Sequence, residues 1–347
     1  MENDPIFFSD KDSTSGEDSG NVSSATEFVY PPKPGPEEKK GNVWVRSLTS
    51  LALYLLLGYY FFNANWTLLL ILTAIVIFHE LGHFFAMKLY NYKDLGIFFI
   101  PLLGAYASGT KKEISQKQSA IILLAGPLPG IIVGIILFFL SDRLLIHSVS
   151  FKTLALFSAT SRLLIFLNLL NLLPIYPLDG GQLLNRLFLD ETRLIGKIFV
   201  ILSVAALIWF ALFGLGRPFY PLLVFPAMML LRLRTDSKFD HLTKKMEERG
   251  INLEKTYEEI TDEEYWTIRN ILIESNYTPV RNINPAPPYE YSANEDRVVS
   301  TIESLLQRSV IQDLSVFGKL IIILIWLGSF AAPFLLNMDL PFLQYAR

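Results

Sequence analysis

The residues best suited to chemistry in this 347-residue chain are two histidines and a glutamate in the run His79-Glu80-Leu81-Gly82-His83. Positions four apart lie on one face of a helix, so the imidazoles of His79 and His83 can both face one metal ion. Glu80 is turned about 100° away from His79, which suits a carboxylate that acts on a water rather than binding the metal. The spacing therefore predicts a metal site with an adjacent general base.

The setting of this motif strengthens the interpretation. It lies within an apolar run from Trp66 to about Tyr90, which is long enough to cross a bilayer. A histidine on an apolar helix face is more often a packed core residue. Here, however, three ionisable groups each cost roughly 2.5 kcal/mol or more inside a membrane unless they are paired or serve a site. The motif starts about 20 Å into the span at 1.5 Å per residue, so the metal is expected within the hydrocarbon layer.

A catalytic zinc usually has three protein ligands and an open position. The chain has no cysteine, so the third ligand must be His, Asp or Glu. Asp179 is the best candidate, because it follows a helix broken by Pro174 and Pro177 and precedes two glycines that permit a sharp turn. The same pattern also fits an aspartate that only caps the next helix.

The composition places the motif in a membrane protein. Hydrophobic residues make up 51% of the chain and charged residues 18%, with a net charge of −3. These values are typical of long apolar spans and leave no basic stripe for a nucleic acid partner. We therefore predict an all-α polytopic membrane protein with about six to seven transmembrane helices. The seven candidate spans are about residues 43–63, 66–90, 119–140, 153–173, 194–213, 218–233 and 317–336.

Between the second and third spans, the segment Leu95–Gly109 is too short to span as a helix and is rich in aromatic and β-branched residues. It is expected to form a short membrane-embedded β-hairpin or a re-entrant segment.

Four regions follow from these patterns. Residues 1–42 are acidic and rich in proline, and are predicted to be a disordered cytoplasmic tail. Residues 43–233 form the transmembrane core, residues 234–316 a small, mostly helical cytoplasmic domain, and residues 317–347 the last span with a C-terminal tail. Lysines and arginines concentrate in the loops on the side of the N-terminus, which predicts a cytoplasmic N-terminus. The small size and nearly uncharged spans suit a bacterial inner membrane.

These motifs resemble those of the site-2 protease family of intramembrane zinc metalloproteases. That family pairs His-Glu-x-x-His in one span with a Leu-Asp-Gly motif in a later one, as in the run from Asn171 to Gly181. Gly104-Ala105-Tyr106 is similar to the family's Gly-Gly-Tyr pattern, with Ala105 where a glycine is common. Gly126-Pro127 resembles the Gly-Pro that opens the next core helix. The similarity covers about residues 65–235, and there is no room for the PDZ domain that some relatives insert.

The resemblance implies a role for each matching residue. His79, His83 and Asp179 would bind Zn²⁺, and Glu80 would be the general base. Asn171 would stabilise the developing oxyanion, and Gly104, Ala105 and Tyr106 would bind substrate. The implied activity is hydrolysis of peptide bonds in or near the transmembrane segments of single-span proteins, as in regulated intramembrane proteolysis. The expected partners are such a substrate and the lipid bilayer; the oligomeric state is not indicated.

Two other functions fit parts of the sequence. A membrane zincin of another class would work at the cytosolic face with a downstream third ligand such as Glu258 or Glu263. A non-enzymatic metal transporter would instead spread acids and histidines along a path through several helices. The sequence concentrates these residues in two motifs, which favours the protease.

Overall fold

A computed structural model describes most of the chain: residues 30–35, 42–61, 65–101, 104–111, 114–141, 150–189, 193–214, 218, 220–253, 255–275, 277, 280, 283–306, 310–336 and 338. Within these residues the fold is mainly helical. The first eight α-helices are α1 (Val43–Phe61), α2 (Trp66–Leu89), α3 (Gln116–Ala125), α4 (Pro127–Phe139), α5 (Phe151–Asn171), α6 (Asp179–Leu184), α7 (Arg193–Trp209) and α8 (Val224–Glu248). They are followed by α9 (Asp262–Glu274), α10 (Glu295–Leu306) and α11 (Val316–Leu335).

Five helical stretches of the described chain are long and apolar enough to cross a membrane. They are Trp66–Leu89, Gln116–Phe139, Phe151–Asn171, Leu194–Gly214 and Val316–Leu335. Each coincides with a predicted span, and the second is made of α3 and α4, which join at Gly126. Their outward faces carry exposed large apolar side chains, as lipid contact requires. The protein is therefore an integral membrane protein.

The other two predicted spans, residues 43–63 and 218–233, are also largely helical, but they fall outside this set of five. In α1, Arg46 and several hydroxyl-bearing residues dilute the apolar character. Helix α8 continues to Glu248, across the domain boundary predicted at residue 233, and its second half is polar. A total of six or seven spans stays a prediction.

The segment Leu95–Gly109 forms the expected hairpin. Strands β1 (Lys93–Ile100) and β2 (Gly104–Thr110) pair antiparallel, with Phe98 opposite Tyr106 and Ile97 opposite Ala107. One edge of the sheet is covered by α1, where the Ser50 hydroxyl accepts a 3.0 Å hydrogen bond from the Phe99 N–H. Strand β2 lies along α2, the helix that carries the His-Glu-x-x-His motif.

Small residues let α4 and α5 pack closely in the membrane core. A Cβ on Gly134 would lie 2.6 Å from Ile165 Cγ1, and the buried Ser161 hydroxyl donates a 2.7 Å hydrogen bond to the Gly134 carbonyl. Such small-residue contacts are a common way to join helices in lipid, where apolar burial alone gives little driving force. The pair also packs against α2, the helix that carries the His-Glu-x-x-His motif.

The polar region has a hydrophobic core of its own. Buried residues between Leu242 and Leu306 form one cluster from the end of α8, helices α9 and α10, and the segments between them. A buried ion pair joins Arg269 Nε to Glu295 Oε1 at 2.7 Å, and the Tyr265 hydroxyl donates to the same oxygen. We call residues 242–306 the C-terminal domain.

Part of the predicted N-terminal tail, residues 30–35, lies within the described residues, whereas residues 1–29 and 36–41 lie outside them. Residues 30–35 have a defined position and pack on the C-terminal domain. Their contacts are hydrogen bonds and aromatic packing, which offset the ordering of so short a segment.

The chain returns from the C-terminal domain to the membrane through a parallel contact. Strand β3 (Ile114–Ser115) pairs with β4 (Val310–Ile311), and Asp313 then accepts hydrogen bonds from the Ser115 hydroxyl and the Lys117 N–H. Partial burial opposes ionisation of Asp313, but these hydrogen bonds hold the pKa of its carboxyl below the usual range. Asp313 thereby caps the start of α3 with a negative charge.

Candidate metal centre

Three side chains converge on one point between α2 and the start of α6. The Nε2 atoms of His79 and His83 lie 3.1 Å apart. Asp179 Oδ2 is 3.0 Å from the first nitrogen and 3.3 Å from the second. Within the part of the chain that the structure describes, this is the one cluster of three or more residues able to hold a metal ion.

The spacing of these atoms fits a zinc ion. Ligands 2.0–2.1 Å from a tetrahedral zinc lie about 3.3 Å apart, close to the separations of these atoms. Both histidines are buried, and Asp179 Oδ2 has no hydrogen-bond donor among the described residues. A buried carboxylate oxygen without a donor is costly unless a cation faces it. The donor set of two nitrogens and one oxygen leaves a fourth position open.

The orientation of His79 is set by a residue on α5. His79 Nδ1 lies 2.8 Å from Asn168 Oδ1, while Asn168 Nδ2 donates a 2.7 Å hydrogen bond to the Leu164 carbonyl. Because the amide nitrogen is committed to that carbonyl, Oδ1 must accept from His79 Nδ1–H. The lone pair of His79 Nε2 is then free for the metal.

The sequence reasoning did not single out Asn168. Its signal is an amide in an apolar span, three residues before Asn171 and therefore on the same helix face. Only the structure identifies the imidazole that it contacts.

Asn168→Ala is expected to weaken zinc binding about 10- to 100-fold, the usual cost of losing a partner that orients a metal ligand. Zinc affinity, measured by competition with a chelator, tests this. Ser161→Ala is the matched control, because it removes another buried polar contact of α5 far from the ligands. Equal zinc affinity in Asn168→Ala and wild type would show that His79 needs no such support.

His83 is oriented by a backbone carbonyl. Its Nδ1 lies 2.7 Å from the Ile122 oxygen on α3, so Nδ1 carries the proton and Nε2 faces the metal position. The ring also sits against Gly126, where an added Cβ would lie 2.2 Å from His83 Nε2. The absence of a side chain at residue 126 is therefore what makes room for this imidazole.

Asp179 reaches the site because α5 ends early. After Asn171 the chain turns through Pro174 and Pro177, and α6 then begins at Asp179. The Leu172 carbonyl at this break accepts a 2.8 Å hydrogen bond from Trp326 Nε1 of α11. Asp179 therefore occupies the first turn of a helix, and its carboxylate also faces the two histidines.

This turn is packed too tightly for any residue but glycine at position 180. A Cβ there would lie 1.9 Å from the Leu172 oxygen. The glycine thus allows the backbone of α6 to approach the end of α5, and that approach brings Asp179 to the ligands.

Glu80 lies beside the ligands on α2. It is buried, and its Oε2 has no hydrogen-bond partner among the described residues. The backbone of Ala107 in β2 faces its carboxylate. Glu80 can therefore act on a water held at the open position, as expected of a general base.

The predicted substrate residues Gly104, Ala105 and Tyr106 are in β2. Backbone groups alternate in direction along an antiparallel strand. Because the Ala107 N–H faces Glu80, the backbone of Ala105 points to the same free edge, away from β1. Gly104 opens the strand, and Tyr106 is half exposed and lies against Phe98.

Asn171 lies at the edge of the same cluster. Its Nδ2 is 3.5 Å from His79 Nε2, on the side where the metal ligands converge. The structure thus gathers all five residues expected to carry the chemistry, although they come from three helices.

The glutamates of the alternative zincin lie elsewhere. Glu258 and Glu263 belong to the C-terminal domain, where the Glu258 carbonyl accepts a hydrogen bond from Lys33 and the Glu263 carboxylate faces Tyr30. Neither joins the metal cluster among the described residues. This geometry favours Asp179 as the third ligand.

Comparison with known proteins supports the resemblance seen in the motifs. The profile of Peptidase family M50 matches residues 67–149. Stage IV sporulation protein FB of Bacillus subtilis is 33% identical over 120 residues, which are 35% of this chain and 40% of that protein. A zinc metalloprotease of Methanocaldococcus jannaschii is 31% identical over 157 residues, 43% of each chain. The similarity to the site-2 protease family is therefore confirmed, and residues 67–149 match the Peptidase family M50 profile.

The matches have clear limits. This chain spans less than half the length of the two curated relatives. The family profile includes His79, Glu80 and His83 but ends before Asp179. The solved site-2 protease from Methanocaldococcus jannaschii aligns over 53% of this chain and 84% of its own, with 23% identity and a TM-score of 0.37. The structural similarity to that protein is therefore weak.

Proposed function

We propose that the protein is a zinc-dependent intramembrane endopeptidase. The observation that carries this proposal is the convergence of His79, His83 and Asp179 at zinc-ligand spacing beside Glu80, within an M50-type segment. The motif lies in the apolar helix α2, so hydrolysis takes place within the membrane. The substrates are membrane proteins with a single span, cut in or near that span in regulated intramembrane proteolysis.

Zinc, Glu80 and Asn171 each have a separate role in peptide hydrolysis. Zinc supplies Lewis acidity, which makes a water molecule easier to deprotonate near neutral pH and polarises the scissile carbonyl. Glu80 takes the proton from the attacking water and later gives it to the departing amine, so no proton is gained or lost. The Asn171 amide donates a hydrogen bond to the oxygen on which negative charge develops.

The substrate must be extended before it can be cut, because a helix keeps its own carbonyls hydrogen-bonded. The free edge of β2 offers backbone groups at Ala105 and Ala107 for pairing with such a strand. The Ala107 position is directly beside Glu80, so a paired strand places a peptide bond next to the general base. Gly104 and Tyr106 flank this edge and shape what can lie along it.

We also place the protein in a bacterial inner membrane with the N-terminus in the cytoplasm. The support is the distribution of lysine and arginine among the loops, which favours the cytoplasmic side for the residue 1–42 tail and the C-terminal domain.

Peptide termini provide the direct test. Wild-type and Glu80→Gln protein would be expressed in cells lacking the native copy, and new termini in membrane proteins mapped by mass spectrometry. The expected result is a set of termini within or beside single transmembrane segments that requires Glu80. Identical termini in the two samples would refute the protease assignment.

Asp179→Ala is expected to release the metal. With only two histidines left, purified protein should retain less than about a tenth of the wild-type zinc, because structural and catalytic zinc sites need at least three protein ligands. Zinc content by elemental analysis measures this. Asp296→Ala, an exposed change in α10, is the control. Full zinc content in Asp179→Ala would remove Asp179 from the ligand set.

A further inference from the structure

Residues 30–35 of the N-terminal tail bind the C-terminal domain through their backbone carbonyls. Their sequence is Tyr30-Pro31-Pro32-Lys33-Pro34-Gly35. Three aromatic side chains of the domain donate hydrogen bonds to it. The pairs are Trp266 Nε1 to Pro31 O at 2.8 Å, Tyr257 Oη to Pro34 O at 2.7 Å, and Tyr291 Oη to Pro32 O. A proline-rich chain makes no internal hydrogen bonds, so its carbonyls are available to such donors.

The surface that receives the segment is a cluster of aromatic rings, which we call the aromatic groove: Tyr257, Trp266, Tyr289 and Tyr291. Trp266 lies 5.3 Å from the Tyr289 ring and 5.6 Å from the Tyr291 ring. Tyr30 packs edge-on against Tyr289 at 5.5 Å. Rings with one apolar face and one hydrogen-bonding tip are the usual receptors of proline-rich segments.

Lysine 33 gives the contact its sequence selectivity. Its ammonium donates to the carbonyls of Tyr257, Glu258 and Ile260 at 2.6–2.9 Å, and it lies 5.3 Å from the centre of the Tyr257 ring. The Lys33 backbone N–H also donates to Asp262 Oδ1 at 2.7 Å. Three carbonyls that converge on one point favour a compact cation there, so a proline segment without this lysine would lose these three hydrogen bonds.

The groove is built into the core of the domain. The Arg269 guanidinium lies 5.0 Å from the Trp266 ring and is itself fixed by the buried ion pair with Glu295. Trp266 and Tyr257 are buried with the segment in place. The segment hydrogen-bonds both side chains and so helps to cover them, and a contiguous aromatic surface of this kind is characteristic of a binding site.

We propose that the C-terminal domain is a receptor for a proline-rich segment with a central lysine, and that Tyr30–Gly35 of the same chain is its resident ligand. The contact forms an intramolecular clasp between the tail and the C-terminal domain. A tethered ligand has an effective concentration of about millimolar, so the clasp excludes competing segments of modest affinity. Opening it creates a vacant site of defined specificity.

The clasp also limits the distance between the C-terminal domain and the start of α1. Six residues lie between Gly35 and Asn42, which immediately precedes α1, and the seven Cα-to-Cα steps from Gly35 to Asn42 reach at most about 25 Å. With the clasp closed, the aromatic groove stays within that distance of the start of α1, the helix that packs on the β1–β2 hairpin.

A peptide-binding measurement on the full-length protein in detergent tests this proposal. A fluorescent peptide copying residues 28–38 would be titrated into wild type and into Lys33→Glu, which places an anion against three carbonyls and opens the clasp. Lys33→Glu is expected to bind the peptide at least about tenfold more tightly than wild type, whose groove is already filled. Lys244→Glu, an exposed change of equal charge on the same domain, should behave like wild type.

Two further variants make the outcome specific. Adding Tyr291→Ala, a change at a half-exposed ring, to Lys33→Glu should weaken peptide binding again. A peptide carrying Lys33→Glu should not bind. If Lys33→Glu bound the wild-type peptide no better than wild-type protein does, the receptor assignment would be wrong.

Hydrogen exchange supplies an independent measurement on the unmodified protein. The Lys33 amide, hydrogen-bonded to Asp262, should exchange at least about tenfold more slowly than in the free peptide, at all protein concentrations. Exchange at the free-peptide rate would overturn the clasp. Protection that grows with protein concentration would overturn its intramolecular character, because it would place the segment of a second copy in the groove.

Discussion

Glu80→Gln should abolish peptide hydrolysis while leaving the metal bound. Gln is nearly isosteric with Glu but cannot accept a proton, and loss of a general base costs about 10²- to 10⁴-fold in rate. Glu80 does not belong to the three-ligand cluster, so zinc content should match wild type. The measurement pairs zinc analysis with the cleavage rate of a substrate identified from its new termini.

Measuring both the zinc content and the cleavage rate of Glu80→Gln distinguishes a general base from a metal ligand. A rate loss with full zinc assigns Glu80 to proton transfer. A rate loss accompanied by zinc loss would instead make Glu80 a ligand or a structural support. Glu274→Gln, which changes a half-exposed carboxylate of the C-terminal domain, is the control and should leave both readouts unchanged.

Gly126→Ala should disable the metal centre without any change in charge or donor set. The backbone at Gly126 has φ −70° and ψ −64°, which alanine adopts freely, so the added methyl acts only through space. That methyl would lie 2.2 Å from His83 Nε2, the atom that faces the metal. Because loss of an orienting partner alone costs about 10- to 100-fold in affinity, displacement of the ligand itself should cost at least about 100-fold.

Gly328→Ala is the matched control for this substitution. Gly328 lies in the membrane helix α11, and nothing is within 4 Å of the position its Cβ would take. Zinc affinity of Gly328→Ala should equal wild type, as measured by the same chelator competition. An unchanged affinity in Gly126→Ala would contradict the prediction that His83 can bind the metal only when residue 126 lacks a side chain.

Much of the metal centre could be predicted because it depends on local rules. The helical repeat places His79 and His83 on one face, and the ionisable groups stand out in an apolar span. Predicting Asp179 as the third ligand required more than a local rule. Its approach to the two histidines depends on a broken helix and on two glycines that accept close backbone contact. There the sequence alone made Asp179 the best candidate but left a helix cap as the alternative, and the resemblance to site-2 proteases favoured the ligand.

Other features depend on contacts between segments distant in sequence. Asn168 reads as one more amide in an apolar helix until its distance to His79 is known. Residues 30–35 lack the apolar content that folding normally needs, so their composition predicts no structure in isolation. Their order comes from donors supplied more than 200 residues later in the chain. Helices α1 and α8 differ from the five apolar stretches because they mix apolar and polar residues, so composition alone does not assign them to the bilayer.

The hydrogen bond from His83 to the Ile122 carbonyl has a mechanical consequence. No change of side chain at residue 122 can release that imidazole, whereas a small slide of α3 along its axis can. The start of α3 is held by the hydrogen bonds of Ser115 and Lys117 to Asp313, and Asp313 lies two residues after β4, the strand that follows the C-terminal domain. A chain of contacts therefore connects the C-terminal domain to the metal centre. A displacement of α3 along its axis would move the Ile122 carbonyl and so change the orientation of the His83 imidazole.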